Sequence, residues 1–155
     1  MSVDIVRPAS VADLRALEGT ELGPTDWVEV TQEKIDAFAE VTGDHQWIHV
    51  DPVRAADSPM GSTIAHGLLT LSLAPAFMES LMAFEEFAHA LNYGYEKVRF
   101  PAPVPVGSRV RMRAQVQSVS EVPGGAQVVT AQTIEREGGD KPVCVAQSVG
   151  RFYER

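Results

Sequence analysis

Residues 43–51, with the sequence GDHQWIHVD, concentrate side chains that can do chemistry. They include the carboxylates of Asp44 and Asp51 and the imidazoles of His45 and His49. A carboxylate beside an imidazole is a combination used for general acid–base catalysis. The same residue types also occur in metal sites and, more often, in solvated turns. The rest of the sequence must decide among a catalytic pair, a metal site and a turn.

A metal site is the weaker alternative for this segment. Asp44 and His45 are adjacent, so their side chains tend to diverge, and no further cluster of ligands follows. Cys144 is the only cysteine, which excludes a multi-cysteine metal site and an intrachain disulfide and is typical of a reducing cytoplasm. We therefore expect no metal and no other cofactor, and we expect Cys144 to pack within a strand.

The bulk composition is typical of a single globular domain. A chain of 155 residues favours one domain, residues 1–155, in which residues 1–20 form an N-terminal extension with a short helix capped by Ser10. The net charge is −8 and no Lys/Arg-rich run is present, which argues against a nucleic-acid partner. The N-terminus lacks an apolar signal core, and Pro75 and Glu79 interrupt the longest apolar region. We therefore expect a cytoplasmic protein without a membrane span.

Two predicted helices frame the polar segment. The sequence TQEKIDAFAEVTG has Thr31 as its N-cap and Gly43 just beyond its C-terminus. After the segment, Asp51 followed by Pro52 predicts the N-cap and the first residue of a short helix. The candidate catalytic residues are therefore expected in the connection between these helices.

A longer helix is predicted from Gly67 to about Met82. Its sequence, GLLTLSLAPAFMESLM, is apolar on nearly every face, which indicates a helix that is buried all round. Pro75 is expected to kink this helix, because proline lacks an N–H and clashes with the preceding turn.

The second half of the chain is predicted to form strands. Apolar and polar residues alternate in SRVRMRAQVQSVSEV and AQVVTAQTIERE, with turns at PGG and GGDK. The segments LNYGYEKVRF and PVCVAQSVGRFYE complete an antiparallel sheet with one buried face. The predicted fold class is α+β, in which a curved antiparallel sheet wraps around the long central apolar helix.

Two motifs in this order resemble those of one family. The segments FAEVTGDHQWIHVDPVRA and STIAHGLLTLSL are similar to the signature of the MaoC-like, (R)-specific enoyl-CoA hydratase/dehydratase family, with Asp44, His49 and Gly67 at signature positions. The segment NYGYEKVRFPAPVPVGSRVR resembles the strand–turn–strand that follows the central helix in this family. The resemblance covers about residues 25–153 and implies a single hot-dog fold.

The resemblance also implies a reaction. Asp44 and His49 would hold and activate a water that adds across trans-2-enoyl-CoA to give (3R)-hydroxyacyl-CoA, and the same groups would catalyse the reverse dehydration. The backbone N–H of Gly67 would polarise the thioester carbonyl. Many members have Asn-Pro where this chain has Gln46 and Trp47, a departure that resembles the NodN-like subgroup.

Further residues are candidates for contact with the substrate. For His66, a structural hydrogen bond near the helix start is the preferred interpretation, and for Asn92 a role in the strand edge is an equal alternative. Arg109, Arg111 and Arg113 alternate along one strand face, where exposure to solvent is preferred over contact with CoA phosphates. The candidate substrate contacts are Gln46, Ile64, Ala65, His66 and Asn92.

Three functions are open on the sequence. The first is an (R)-specific enoyl-CoA hydratase that acts on thioesters of CoA or acyl carrier protein and forms a homodimer, because unpaired strand edges favour edge-to-edge pairing. The second, motivated by Gln46 and Trp47, is a non-catalytic acyl-thioester-binding protein. The third is a hot-dog acyl-CoA thioesterase, in which a carboxylate directs water to the carbonyl. The spacing of Asp44 and His49 favours the hydratase.

Overall fold

The computed structural model describes residues 4–155 of the chain. Its helices are α1 (Val11–Ala16), α2 (Gln32–Thr42), α3 (Trp47–Val50), α4 (Pro52–Ala56), α5 (Gly67–Ser72) and α6 (Ala74–Leu81). Its strands are β1 (Glu21–Leu22), β2 (Val28–Glu29), β3 (His89–Arg99), β4 (Arg109–Val122), β5 (Gly125–Arg136) and β6 (Cys144–Tyr153). None of the helices in this described range has the length and apolar character needed to cross a membrane.

The strands form one antiparallel sheet in the order β1-β4-β5-β6-β3, and β2 also pairs with β4. The long hairpins set the register, with Met112 opposite Ile134 and Gln132 opposite Ala146. β3 lies at the edge: it pairs with β6 on one side, and along its other side it meets no strand of the described chain. The predicted α+β class with one antiparallel sheet is confirmed.

The two faces of the sheet differ as the alternation predicts. Val110 and Met112 of β4 are completely buried on the inner face. Arg109, the first residue of β4, lies on the outer face and pairs with Glu137. The hydrogen bond from Arg109 holds the pKa of the Glu137 carboxyl below its usual value. The outer face is therefore solvated and carries ion pairs, in agreement with the preferred interpretation of its arginines.

The helices on both sides of the polar segment have the predicted caps. The Thr31 hydroxyl accepts a hydrogen bond from the Lys34 N–H at 3.3 Å at the start of α2. Gly43 ends α2 in the left-handed conformation, with φ of 80°, and its N–H donates to the Ala39 carbonyl at 2.8 Å. Asp51 caps α4, with proline as the first helical residue. The predicted caps are confirmed.

The central helix differs from the prediction. It is divided at Leu73 into α5 and α6, because Pro75 has no N–H for the carbonyl one turn earlier. Leu69 and Phe77 face the core, but Leu68 is 60% exposed, so the prediction that the helix is buried all round was wrong. The sheet of one chain covers one side of the helix and leaves the opposite side open.

The N-terminal extension contains the predicted short helix. The Ser10 hydroxyl caps α1 by accepting a hydrogen bond from the Asp13 N–H at 3.2 Å. Leu14 is buried in the same core as the sheet residues, which attaches α1 to the domain. Residues 1–3 of the predicted extension lie outside the described residues.

Candidate active site

Three polar residues meet where α2, α3 and α5 come together. Asp44 follows the cap of α2, His49 lies in α3, and His66 immediately precedes α5. A carboxylate oxygen of Asp44 and one ring nitrogen of each histidine lie within 4.8 Å of one another. The structure thus brings together the two residues predicted as the catalytic pair and adds His66 to them. We call Asp44, His49 and His66 the polar cluster.

His49 is anchored through one of its ring nitrogens. The residue is 6% exposed, and its Nδ1 lies 2.7 Å from the carbonyl oxygen of Ile64. A carbonyl oxygen can only accept, so Nδ1 carries the hydrogen and donates it. In this neutral tautomer the lone pair is on Nε2, which is then available to act as a base. Ile64, a predicted substrate contact, is therefore placed as the residue that orients His49.

His66 is anchored through its Nε2, whereas His49 is anchored through its Nδ1. Its Nε2 lies 3.0 Å from the backbone carbonyl oxygen of Asp44, to which it donates. Its ring stacks on that of His49, with centroids 3.9 Å apart, and the Phe38 ring packs 4.8 Å from it. Its Nδ1 is buried and has no partner within the described residues. His66 thus makes the structural hydrogen bond near the helix start that was its preferred interpretation.

Asp44 presents its side chain at the surface of the cluster. Its carboxylate Oδ1 accepts a hydrogen bond from the Gln46 N–H at 3.3 Å, and Gln46 itself is exposed. The neighbouring His45 points away, into an exposed pair with Glu40 at 3.7 Å. The segment that carries four titratable side chains therefore contributes two of them to the cluster, while Asp51 serves as a helix cap.

Gln32 supports His49 from behind and was missed by the sequence prediction. Its amide nitrogen donates to the His49 carbonyl at 2.8 Å, and its amide oxygen accepts from the Thr63 hydroxyl at 2.6 Å. These contacts join the start of α2 to α3 and to the strand-like segment before α5. They connect positions 17 and 31 residues apart, so no local pattern in the sequence indicates them.

Gly67 is the first residue of α5 and lies against an aromatic ring. A Cβ at this position would come within 3.0 Å of the Phe100 ring, so only glycine permits this packing without a shift. The N–H of Gly67 has no acceptor within residues 4–155, as expected for the first turn of a helix. Just before it, the Ala65 N–H donates to the Val104 carbonyl at 2.8 Å, which fixes the predicted contact Ala65 by its backbone.

The polar cluster is also the one set of side chains within residues 4–155 that lie close enough together to hold a metal ion. The two rings are stacked and only 25° from parallel. Because imidazole lone pairs lie in the ring planes, nearly parallel rings direct them side by side, whereas tetrahedral ligation requires them to converge. The arrangement of His49 and His66 therefore fits proton transfer better than metal binding.

Asn92 lies away from the polar cluster. It is an exposed residue of β3, opposite Gly150 of β6, at a pocket of about 170 Å³ between α6 and the sheet. The residues that line this pocket include none of the polar cluster. The structure therefore places Asn92 apart from Gln46 and Ile64, the other predicted contacts.

The chain is similar to known proteins over most of its length. A family model described as MaoC like domain matches residues 13–138. The chain is 51% identical over 144 residues to 3-hydroxyacyl-thioester dehydratase Z of Mycobacterium tuberculosis. The matched region covers 92% of this chain and 95% of that protein. It is also 48% identical over 141 residues to Nodulation protein N of Rhizobium leguminosarum bv. viciae. This second match covers 88% of this chain and 87% of that protein.

Among solved structures, the unliganded R-hydratase PhaJ1 of Pseudomonas aeruginosa has a TM-score of 0.76 at 22% identity, over 95% of this chain and 87% of that chain. This similarity shows a shared fold, with a sheet wrapped around a central helix. Together with the family match, it confirms the resemblance seen in the sequence motifs. The chain belongs to the MaoC-like domain family and has the hot-dog fold.

Proposed function

We propose that the protein is a hydro-lyase that interconverts trans-2-enoyl thioesters and (3R)-hydroxyacyl thioesters. The observation that carries this proposal is the placement of the Asp44 carboxylate and the His49 imidazole within 4.8 Å of each other, with His49 fixed in a tautomer that leaves a basic nitrogen free. The similarity to a protein named 3-hydroxyacyl-thioester dehydratase supports the same reaction.

In the hydration direction, a water is held between Asp44 and His49. One of the two groups removes a proton from the water as its oxygen bonds to C3 of the enoyl group. The C2–C3 π electrons move toward the thioester carbonyl and place negative charge on its oxygen. One of the two groups then returns a proton to C2 as the electron pair moves back from the thioester oxygen to form the C2–H bond, and dehydration follows the same path in reverse.

The N–H of Gly67 is the group that would stabilise the negative charge on the thioester oxygen. Its lack of an acceptor within the described residues leaves it available, and backbone donors directed at a developing oxyanion are a large part of catalysis in such reactions. Because the Phe100 ring packs on this glycine, it forms a wall beside the proposed carbonyl position.

The proposed chemistry uses no metal and no other cofactor. The thioester itself polarises the double bond, and the cluster supplies the acid and the base. Activity is therefore expected to be unchanged after dialysis against a chelator, and loss of activity that a divalent cation restores would contradict this part of the proposal.

We also propose that two copies of the chain form a homodimer through β3 and α5. Within the described residues the outer edge of β3 is unpaired, and Leu91 and Tyr93 of this strand are 52% and 61% exposed. Leu68 and Phe100, beside Gly67, add exposed apolar surface beyond the other end of β3. Sheet edges and contiguous apolar patches of this kind are usually covered.

The reaction is tested with the purified protein and crotonyl-CoA, followed by the loss of absorbance of the conjugated thioester. Chiral analysis of the product is expected to give the (3R)-hydroxy isomer. Release of free thiol without hydration would indicate the thioesterase, and binding without turnover across chain lengths would indicate the acyl-thioester-binding protein. Parallel assays with acyl carrier protein thioesters decide which carrier the enzyme prefers.

A further inference from the structure

The pocket between α6 and the inner face of the sheet has two unlike walls. On the helix side its lining is mainly apolar, with Ala74 and Met78, and among the described residues Glu79 is the one charged residue there. On the sheet side, Thr130 and Gln132 of β5 and Ser148 of β6 form a polar part of the lining, beside the apolar Val128 and Phe152. An apolar core position on such a sheet normally carries a branched aliphatic residue, so a polar wall at this depth requires an explanation.

Gln132 is the residue that points to a ligand. It is 5% exposed, and its side-chain oxygen Oε1 is enclosed and accepts no hydrogen bond within the described part of the chain. An enclosed acceptor without a donor is costly, and buried amides are nearly always paired. Gln132 lines the pocket, and rotation of its terminal amide about χ3 would turn the enclosed Oε1 toward the pocket, where a molecule that enters could supply the missing donor.

Further polar side chains lie next to Gln132 along the pocket. Thr130 lies directly opposite Ser148, and Ser148 lies directly opposite Tyr95 of the edge strand. The Ser148 hydroxyl makes only a long contact of 3.5 Å to the Thr130 carbonyl. A ligand hydroxyl that donates to Gln132 would therefore find further hydroxyl groups within the same pocket.

The pocket is positioned to receive the chain of a thioester held at Gly67. Ala74, the first residue of α6, is seven positions beyond Gly67, or about 10 Å along a helix. Gln132 is opposite Ala146 of β6, and Ala146 is opposite Val98 of β3. Val98 lies two residues before Phe100, whose ring packs on Gly67. Gln132 therefore lies toward the end of the pocket that is nearer the polar cluster.

We propose that this pocket selects acyl groups that carry an additional hydroxyl group beyond the reacting carbons, and that Gln132 is the specificity-determining residue that accepts its hydrogen bond. This inference rests on the proposed function, because it takes the acyl chain of the proposed substrate as the occupant. A plain aliphatic chain would fill the apolar wall but leave Oε1 of Gln132 without a donor.

The test measures binding of saturated acyl-CoA thioesters, which cannot be hydrated or dehydrated. Octanoyl-, hexanoyl- and decanoyl-CoA are compared by calorimetry with their ω-hydroxy counterparts. The wild-type protein is expected to bind at least one hydroxylated chain about tenfold more tightly than the plain chain of the same length, the effect of one hydrogen bond to a buried acceptor. Equal or tighter binding of the plain chain at every length overturns the proposal and indicates that water alone satisfies Gln132.

The variant Gln132→Leu keeps the side-chain volume and removes the enclosed acceptor. It is expected to lose the preference and to bind plain chains at least as well as wild type does. Gln147→Leu is the matched control: Gln147 donates to the exposed Gln117 side chain and does not line the pocket, so the preference should persist. A preference that survives Gln132→Leu also overturns the proposal.

This experiment separates the specificity inference from the proposed reaction. Crotonyl-CoA is too short to reach the polar wall, so its hydration reports on the polar cluster alone. A preference for hydroxylated chains without hydration of crotonyl-CoA would contradict the proposed reaction and leave the pocket inference standing. Hydration without the preference would do the reverse.

Discussion

The two histidines of the polar cluster have different roles because different ring nitrogens are fixed by backbone carbonyls. His49 donates from Nδ1 to the Ile64 carbonyl and keeps the Nε2 lone pair for chemistry. His66 donates from Nε2 to the carbonyl of Asp44 and thereby holds the loop that carries the carboxylate. The two rings stack on each other, which restricts the orientation of both. In this account His49 reacts, and His66 positions Asp44.

The residues of the site that the sequence predicts are those that lie in compact motifs. Asp44 and His49 are five positions apart, and Gly67 ends the tripeptide AHG that opens a helix, so the resemblance of these short motifs to the MaoC-like family indicates them. The groups that orient them are distant in sequence or belong to the backbone. Gln32 and the Ile64 carbonyl are of this kind, and only the folded chain brings them to His49.

Gln32→Leu tests the support behind His49. The change removes the hydrogen bonds to the His49 carbonyl and to Thr63, so we expect kcat to fall about tenfold or more, because small displacements of a catalytic group are costly. Gln115→Leu is the matched control, since Gln115 donates to the Gly19 carbonyl far from the cluster. If steady-state kinetics show the same small loss of kcat for both variants, Gln32 does not support His49 in catalysis.

Cys144 gives a prediction about pH. Burial raises the pKa of its thiol to about 11 from 9.0, so the folded state keeps the thiol neutral where the unfolded state ionises. Its contribution to stability is full below pH 9 and is lost as the pH rises to 11, by about 3 kcal/mol. Denaturant unfolding at pH 8 and pH 10.5 should show a smaller loss of stability for Cys144→Ala than for wild type. Equal losses in the two proteins would contradict the assignment.

The elements that carry the site were predictable where their ends are marked by local chemistry. Thr31 and Gly43 bound α2 as their residue types indicate, which places Asp44 directly beyond a fixed helix end. The exposed side of α5 and α6 was not predictable in the same way. An apolar residue such as Leu68 has the same pattern whether its own sheet or a second molecule covers it.

Gly43→Ala tests how much the end of α2 contributes. The left-handed φ of 80° disfavours a Cβ, although beyond its chain neighbours no other atom of residues 4–155 lies within 4 Å of it, so the cost is conformational and about 1 kcal/mol. Gly43→Asn is the control, because asparagine adopts this conformation more readily. Urea unfolding should rank the stability as wild type, then Asn, then Ala, and an alanine variant as stable as wild type would be inconsistent with the cap.

At the scale of the whole molecule, exposed apolar side chains lie along β3 and at the start of the central helix. Leu91, Tyr93, Phe100 and Leu68 are exposed there, and the edge of β3 is unpaired within the described residues. The wall formed by Phe100 beside Gly67 belongs to this same surface. The proposed dimer would therefore complete the surroundings of the proposed carbonyl position as well as cover apolar surface.

Leu68→Asp tests this surface. Leu68 is 60% exposed, so the single chain should tolerate aspartate, whereas a charge buried in a dimer interface without a partner is strongly unfavourable. We expect the mass measured by light scattering to fall from that of a dimer toward that of a monomer. Val53→Asp, at an exposed position of α4, should leave the mass unchanged. A Leu68→Asp protein that remains fully dimeric would exclude this face as the interface.

The central claim is that Asp44 and His49 together perform the proton transfers of hydration. The most direct measurement is the rate of crotonyl-CoA hydration by wild type, Asp44→Asn and His49→Ala, with circular dichroism used to verify folding. Each variant is expected to lose about a hundredfold to ten-thousandfold in kcat, the range typical of general acid–base groups. Folded variants that both retain wild-type hydration would contradict the account.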